Sequence, residues 1–403
     1  MTIKTTTVGE TDLPRYFPQV FAQVATLQNG RIEFVLPDGR VFRADGPRPG
    51  PVGICEIHDA DVFARLIREG DLGFCDAYLD GGWSSPDLQA LMDVIHADND
   101  DMYDGFTGMA LVRAYERLRF WMQGNSRRQA RRNISYHYDL GNAFYELWLD
   151  DTMTYSSALF ETGQESIEAA QRAKYAALAD KIGVQPGDHL LEIGCGWGGF
   201  AEYAAKERGA RVTGLTISRE QRDYAMARMA RQGLSDKVEI RLQDYRDVQG
   251  QFDGIASIEM LEAVGEKYWP TYFKTLRERL SPGRSAAIQV ITVKDARWHV
   301  YRRGVDFIQK YIFPGGMLLA PKVLREQVEK AGLHLTGSHE FGESYSQTLR
   351  RWHDTFNGRW DEVAALGFDE RFRRMWNFYL TSCAASFHSG NTDVIQISVT
   401  RPA

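Results

Sequence analysis

The chain has 403 residues, 43% of them hydrophobic, and a formal net charge of -6, which is enough for a sizeable core and more than one typical domain. No basic domain stands out, so nucleic acid is excluded as the main partner. Cys55, Cys75, Cys195 and Cys383 are widely spaced with no C-x-x-C pair, so no metal site or disulfide framework is predicted, and no run reaches the roughly 18 apolar residues of a membrane span. The N-terminus also lacks the apolar core of a signal peptide, and a cytoplasmic protein that meets membranes only at their surface is expected.

Near the start, Arg31 to Leu36 and Val41 to Arg43 flank Pro37-Asp38-Gly39, the pattern of a β-hairpin. Asp59 stands where it can cap a helix carrying Val62, Phe63, Leu66 and Ile67 on one face. A second helix holds Leu88, Leu91, Met92 and Ile95. Residues 1–105 therefore read as a small α+β domain without catalytic residues. Residues 106–132 read as a helical basic linker: Leu111, Ala114 and Leu118 recur at helical spacing from Ala110 to Gln123, and Arg127, Arg128, Arg131 and Arg132 follow. Such a run suits anionic head groups, or equally a solvated helix face.

Residues 133–403 read as the catalytic domain. His137 to Asn142 and Met153 to Ser157 are polar and aromatic clusters, and the alanine-rich stretch Ser166 to Ile182 is a helix ended by Gly183 and Pro186-Gly187. Strands are then expected at His189 to Ile193, Arg211 to Ile217, Val238 to Leu242, Phe252 to Ile258 and Ala286 to Thr292, with helices between. Alternation of this kind predicts an α/β fold with a parallel, Rossmann-like sheet and ligands at the carboxyl ends of its strands. Those ends bear Glu192, Thr216, Asp244, Glu259 and Glu262, and Gln289 lies in the fifth strand. The stretch Lys294 to Pro321 carries Trp298, Tyr301, Phe307, Tyr311 and Phe313, an aromatic insertion that can wall an apolar channel or fill a core. Val394 to Thr400 alternates as a closing strand.

Leu190 to Phe200 carries the strongest signal. A strand runs through Glu192 into Gly194, Gly196, Gly198 and Gly199, and these glycines let a ligand approach the backbone. The spacing matches the dinucleotide pattern, but no acid closes the second strand to hold a ribose. Glu192 would repel a pyrophosphate and attract an ammonium and a sulfonium. The reading is an S-adenosylmethionine site.

The residues resemble the cyclopropane-fatty-acid synthases and the related mycolic-acid and mid-chain fatty-acid methyltransferases, from about Asn133 to Pro402. The motifs that carry the resemblance are His-Tyr-Asp-Leu-Gly-Asn at 137–142, Gly-Cys-Gly-Trp-Gly-Gly at 194–199 and Leu-Thr-Ile-Ser-Arg-Glu-Gln at 215–221. Gln-Asp-Tyr-Arg-Asp at 243–247, Tyr-Ile-Phe-Pro-Gly-Gly at 311–316 and Ser-Cys-Ala-Ala-Ser-Phe at 382–387 join them. The resemblance implies a class I methyltransferase sheet in which Tyr155, Ser156, Gly194, Gly196, Gly198, Thr216, Gln221, Tyr245 and Arg246 hold S-adenosylmethionine. Glu192 and Asp244 at the strand ends complete that expected site. It further implies a bicarbonate ion at Ser157, Glu262, Gln289, Ile291 and Tyr345, with Ser157 and Gln289 standing where some members have cysteine and histidine, and Ala263 where a histidine often follows the glutamate. His137 is a further candidate, for acid–base work or for a hydrogen bond in the cofactor loop.

What the resemblance implies chemically is methyl transfer to the alkene of an acyl chain in a membrane phospholipid, then proton loss to bicarbonate to close a cyclopropane. A hydride shift first would give a methylene branch, which a separate reductase could saturate. A homodimer attached peripherally to the inner face of the membrane is implied as well. A small-molecule methyltransferase and a catalytically silent lipid-binding homologue are the competing readings.

Overall fold

A computed structural model describes residues 4–5, 12–97, 108–122, 129 and 140–403. The arginine run at 127, 128, 131 and 132, and His137, lie outside the described residues.

The chain divides into two compact units, Met1–Phe120 with Arg303–Ile312 and Ala364–Asn391, and Trp121–Arg302 with Phe313–Val363 and Thr392–Ala403. The first break falls within the stretch 106–132 expected as a linker, and two distant segments join the N-terminal residues. In the first unit, strands β1 (Lys4–Thr5), β2 (Asn29–Val35), β3 (Val41–Asp45), β4 (Arg48–Ile57) and β5 (Trp83–Ser84) form a sheet in the order β1-β3-β2-β4-β5. β2 and β3 are the expected hairpin, paired antiparallel with Phe34 opposite Phe42. Phe17, Phe21, Phe34, Phe42 and Phe63 pack edge-on or tilted at 4.8–6.3 Å, a core built from one face of the alternating strands. The helix Glu370–His388 belongs to this unit. Its Phe378 lies 5.7 Å from Tyr78 and 4.7 Å from Phe307, and Arg374 donates to the carbonyls of Tyr78 and Trp83.

The second unit holds seven strands: β6 (His189–Ile193), β7 (Arg211–Thr216), β8 (Val238–Leu242), β9 (Phe252–Ile258), β10 (Leu280–Val293), β11 (His334–Glu340) and β12 (Thr392–Thr400). Their order is β11-β12-β10-β9-β6-β7-β8. Strands β6 to β10 are parallel, as the βαβ alternation predicts, and β12 runs antiparallel to both β10 and β11. The helix Ile167–Ile182 starts where Ser166 accepts the N–H of Ala169 and stops at Gly183, whose φ of 74° is left-handed. Its Leu178, Ala179 and Ile182 share a buried core with Leu190, Val212 and Ala256.

Strand order reverses direction on either side of β6, and a crevice at such a reversal, outside the strand carboxyl ends, is where open α/β sheets bind ligands. Among the described residues no helix is long and apolar enough to cross a membrane, and no cluster of His, Cys, Asp and Glu suits a metal ion.

Candidate active site

Two clusters form at the carboxyl ends of the parallel strands. The first follows β6. Gly194, Gly196 and Gly198 have φ of 82°, 50° and 88°, a run that side chains rarely adopt. The N–H groups of Gly194 and Cys195 donate to the carbonyl of Leu215, which fixes the turn against β7. A Cβ placed on Gly196 would meet nothing within 4 Å, so this part of the turn faces open space. Cys195 within it is buried, and burial raises its thiol well above the usual range.

Glu192 is 2% exposed. It faces the N–H of Ala201 in the first turn of the next helix, while its Oε2 has no hydrogen-bond partner among the described residues. Burial pushes its carboxyl well above the usual value. Thr216 donates to Oε1 of Gln221 at 2.8 Å, and Asp244 accepts Nε and Nη2 of Arg246 at 2.8 and 2.6 Å. The Tyr245 hydroxyl is buried without a partner among the described residues. A turn open to a ligand, an orphaned carboxylate oxygen and polar groups at the next two strand ends fit S-adenosylmethionine, whose ammonium and sulfonium are cations.

The second cluster surrounds an acid that the sequence placed at a strand end without a role. Glu259, just after β9, has φ of 48° and is half-buried. Its Oε1 accepts the N–H of Ser157 at 2.9 Å and Nε2 of Gln289 at 2.8 Å, and its Oε2 accepts the Tyr345 hydroxyl at 2.7 Å. Gln289 is oriented in turn by Nε2 of Gln396 at 3.1 Å. Glu262, one short helical turn on, accepts the N–H of Ile291 at 2.5 Å, and its Oε2 is buried without a partner among the described residues.

The structure thus brings together Ser157, Glu262, Gln289, Ile291 and Tyr345, the five residues expected to hold bicarbonate, but their donors are already engaged. The N–H groups and side chains of four of them point at Glu259 or Glu262, and the Ser157 hydroxyl donates to the carbonyl of Ala158. An anion added here would meet two carboxyl groups and no spare donor. The residues present do not fit the ion.

Charge in this cluster is uneven. Burial first, and the neighbouring Glu259 second, push Glu262 up to about 8. Burial also raises Glu259, but three donors and the nearby Lys174 oppose that rise. Two adjacent carboxyls share one negative charge most cheaply when the better-solvated one carries it. Glu259, held by three donors, therefore ionises before Glu262.

Lys174 and Gln171 were not anticipated. Lys174 is 0% exposed and donates to Oγ of Ser156 at 2.7 Å, and Gln171 donates to the carbonyl of Ser156. Burial lowers Lys174 to about 7 against the pull of Glu259, Asp150 and Glu192. A signal existed: Lys174 falls midway between Ala170 and Leu178, on the buried stripe of its helix.

Aromatic rings flank the acids. Tyr155 lies 5.5 Å from Tyr145, 5.6 Å from Trp148, 5.4 Å from Trp352 and 6.4 Å from Phe313. The ring of Tyr345 is 6.3 Å from Trp352. Of the aromatic insertion, Phe313 joins this group, whereas Phe307 and Tyr311 pack in the first unit, where Tyr311 donates to Asp76 at 2.6 Å.

Residues 125–397 match the family model described as mycolic acid cyclopropane synthetase. The tuberculostearic acid methyltransferase UfaA1 of Mycobacterium tuberculosis is 40% identical over 92% of this chain and 88% of its own. The cyclopropane-fatty-acyl-phospholipid synthase of Escherichia coli is 34% identical over 92% of this chain and 96% of its own. Among solved structures, mycolic acid cyclopropane synthase CmaA1 complexed with SAH and CTAB superposes with a TM-score of 0.63 at 29% identity, covering 67% of this chain and 98% of that one. The glycine turn, the orphaned Glu192 and these likenesses agree: the chain belongs to the cyclopropane-fatty-acid synthase family and is an S-adenosylmethionine-dependent methyltransferase that acts on unsaturated lipid chains.

Proposed function

We propose that the protein adds one carbon from S-adenosylmethionine to the double bond of an unsaturated acyl chain in a membrane phospholipid, closing a cyclopropane. The observation that carries this reading is Tyr345, whose ring stands in the aromatic group while its hydroxyl donates to Glu259. An alkene is a weak nucleophile, and S-adenosylmethionine supplies the sulfonium methyl as a strong electrophile. Methylation of one alkene carbon leaves positive charge on the other, which aromatic faces stabilise without trapping. The rings of Tyr155, Trp148 and Trp352 also exclude water from that charge.

The substrate class has support from the first unit. The helix Ala110–Met122 leaves Leu111, Tyr115 and Leu118 at 79, 64 and 55% exposure, a stripe at helical spacing suited to a bilayer surface. A homodimer at the inner face of the membrane belongs to the same proposal, as the family resemblance implies. A methylene branch is the second reading, favoured by UfaA1, the more similar of the two relatives, being named a methyltransferase rather than a cyclopropane synthase.

Pure protein incubated with S-adenosylmethionine and vesicles of mono-unsaturated phospholipid should give lipids heavier by one CH₂, about 14 mass units, with the added carbon coming from the cofactor. NMR of the product separates ring from branch, and no mass gain with cofactor binding intact would remove the lipid reading. Tyr345→Phe keeps the ring and loses the bond to Glu259. A hydrogen bond to a charged group is worth about 1.5–3 kcal/mol, so kcat should fall about ten- to hundredfold while cofactor affinity, read by calorimetry, stays within about twofold.

A further inference from the structure

We propose that Glu259 is a built-in replacement for the free oxyanion: its side chain is the general base of the reaction, and turnover needs no bicarbonate. This rests on the lipid-methylation reading above and names the group that takes the proton there.

The geometry supplies the argument. Glu259 presents two oxygens to three donors, the Ser157 N–H, Gln289 Nε2 and the Tyr345 hydroxyl, at 2.7–2.9 Å. That is how a small oxyanion would be held, except that this one is tethered. The backbone is distorted to deliver it, since φ of 48° is left-handed for a residue with a side chain, a conformation costing roughly 1–2 kcal/mol. Strain at a site where three donors converge is a sign of function. The Glu259 N–H also donates to the carbonyl of Gln289 at 2.8 Å, locking the turn to β10. Tethering removes the entropy of capturing an ion from solution.

The step balances. The alkene electron pair forms the new carbon–carbon bond, the methyl carbon's old pair stays with sulfur, and the second alkene carbon becomes cationic. A C–H pair of the added methyl then closes on that carbon, and its proton goes to an oxygen of Glu259. With a prior hydride shift the same pair forms a methylene double bond, and the proton has the same destination. On product release the proton passes to water and Glu259 is a carboxylate again.

The test compares lipid methylation in buffer stripped of carbon dioxide with the same buffer containing millimolar bicarbonate. Wild type should turn over equally in both. Glu259→Gly removes the carboxylate, opens its space and suits the left-handed backbone. It should lose about 10²–10⁴-fold in stripped buffer, the range for a missing general base, and recover at least about tenfold with bicarbonate. Glu259→Gln, which fills the space with an amide, should be as slow and should not be rescued. A wild type that slows on stripping and recovers with bicarbonate, or a Glu259→Gly protein as fast as wild type in stripped buffer, would overturn the proposal. Should wild type add no carbon to lipid in either buffer, the lipid reading has failed and the ion site is read directly. Line broadening of ¹³C-bicarbonate should then appear with Glu259→Gly and not with wild type; broadening by wild type refutes the inference.

Discussion

Lys174→Met should lower the stability of the protein by about 1–3 kcal/mol, the loss seen when a buried polar group is left without its partner. Methionine keeps much of the volume, so packing changes little. What disappears is the amine, 0% exposed and bonded to Ser156, which burial holds at about 7 and whose charged form interacts with Glu259, Asp150 and Glu192. Those acids then stand in the interior without that cation, and Ser156 loses its donor. Urea unfolding at neutral pH measures the difference, with the slope of free energy against denaturant unchanged. A loss below about 1 kcal/mol would mean that the acids are held neutral and need no cation.

Glu192→Gln should weaken S-adenosylmethionine binding about tenfold to hundredfold. The substitution preserves shape and an acceptor for the Ala201 N–H, but it removes the charge that a cationic ligand would meet at the orphaned Oε2. A charge-assisted bond is worth about 1.5–3 kcal/mol. Burial holds the free carboxyl well above its usual value, so in the empty protein it keeps its proton to higher pH than an ordinary glutamate. A cation favours the ionised form, and binding then releases a proton. Affinity should therefore rise with pH until Glu192 is ionised before binding, and should be flat across that window in Glu192→Gln. Calorimetry in two buffers of different ionisation heat counts the proton released. Equal affinity of the two proteins at all pH would show that the cofactor's charges are met elsewhere.

The strands of the parallel sheet were legible because buried strands are short apolar runs between turn signals. β6, β8 and β9 begin and end where the pattern puts them. β11 carried no such mark: six of its seven residues are exposed, and an edge strand with no buried face has no alternation to read. The place of Glu370–His388 was illegible for a different reason. Its helical period is plain, but its partners Tyr78 and Trp83 lie almost 300 residues earlier, and periodicity says nothing about which surface a helix covers.

In the site, the sequence named five residues that do converge, yet it gave their centre to an ion. Glu259 appeared among the strand-end acids with nothing to distinguish it from its neighbours. Its distinction is conformational, because a left-handed backbone turns the carboxylate back among Ser157, Gln289 and Tyr345. Residue type alone does not encode that turn. Lys174 was hidden by the opposite habit, of reading a charged residue in a helix as a solvated one.

Cys195 gives the glycine turn a clock of its own. Its sulfur is buried and its thiol held protonated, so an alkylating reagent can reach it only in the moments when the turn comes apart. The rate at which this one sulfur is labelled, followed by peptide mapping, counts those openings without any engineered reporter. A ligand lying along the turn would lengthen the interval between ticks, and the ratio of labelling rates with and without it would report the affinity of the site even in a variant that has lost all turnover.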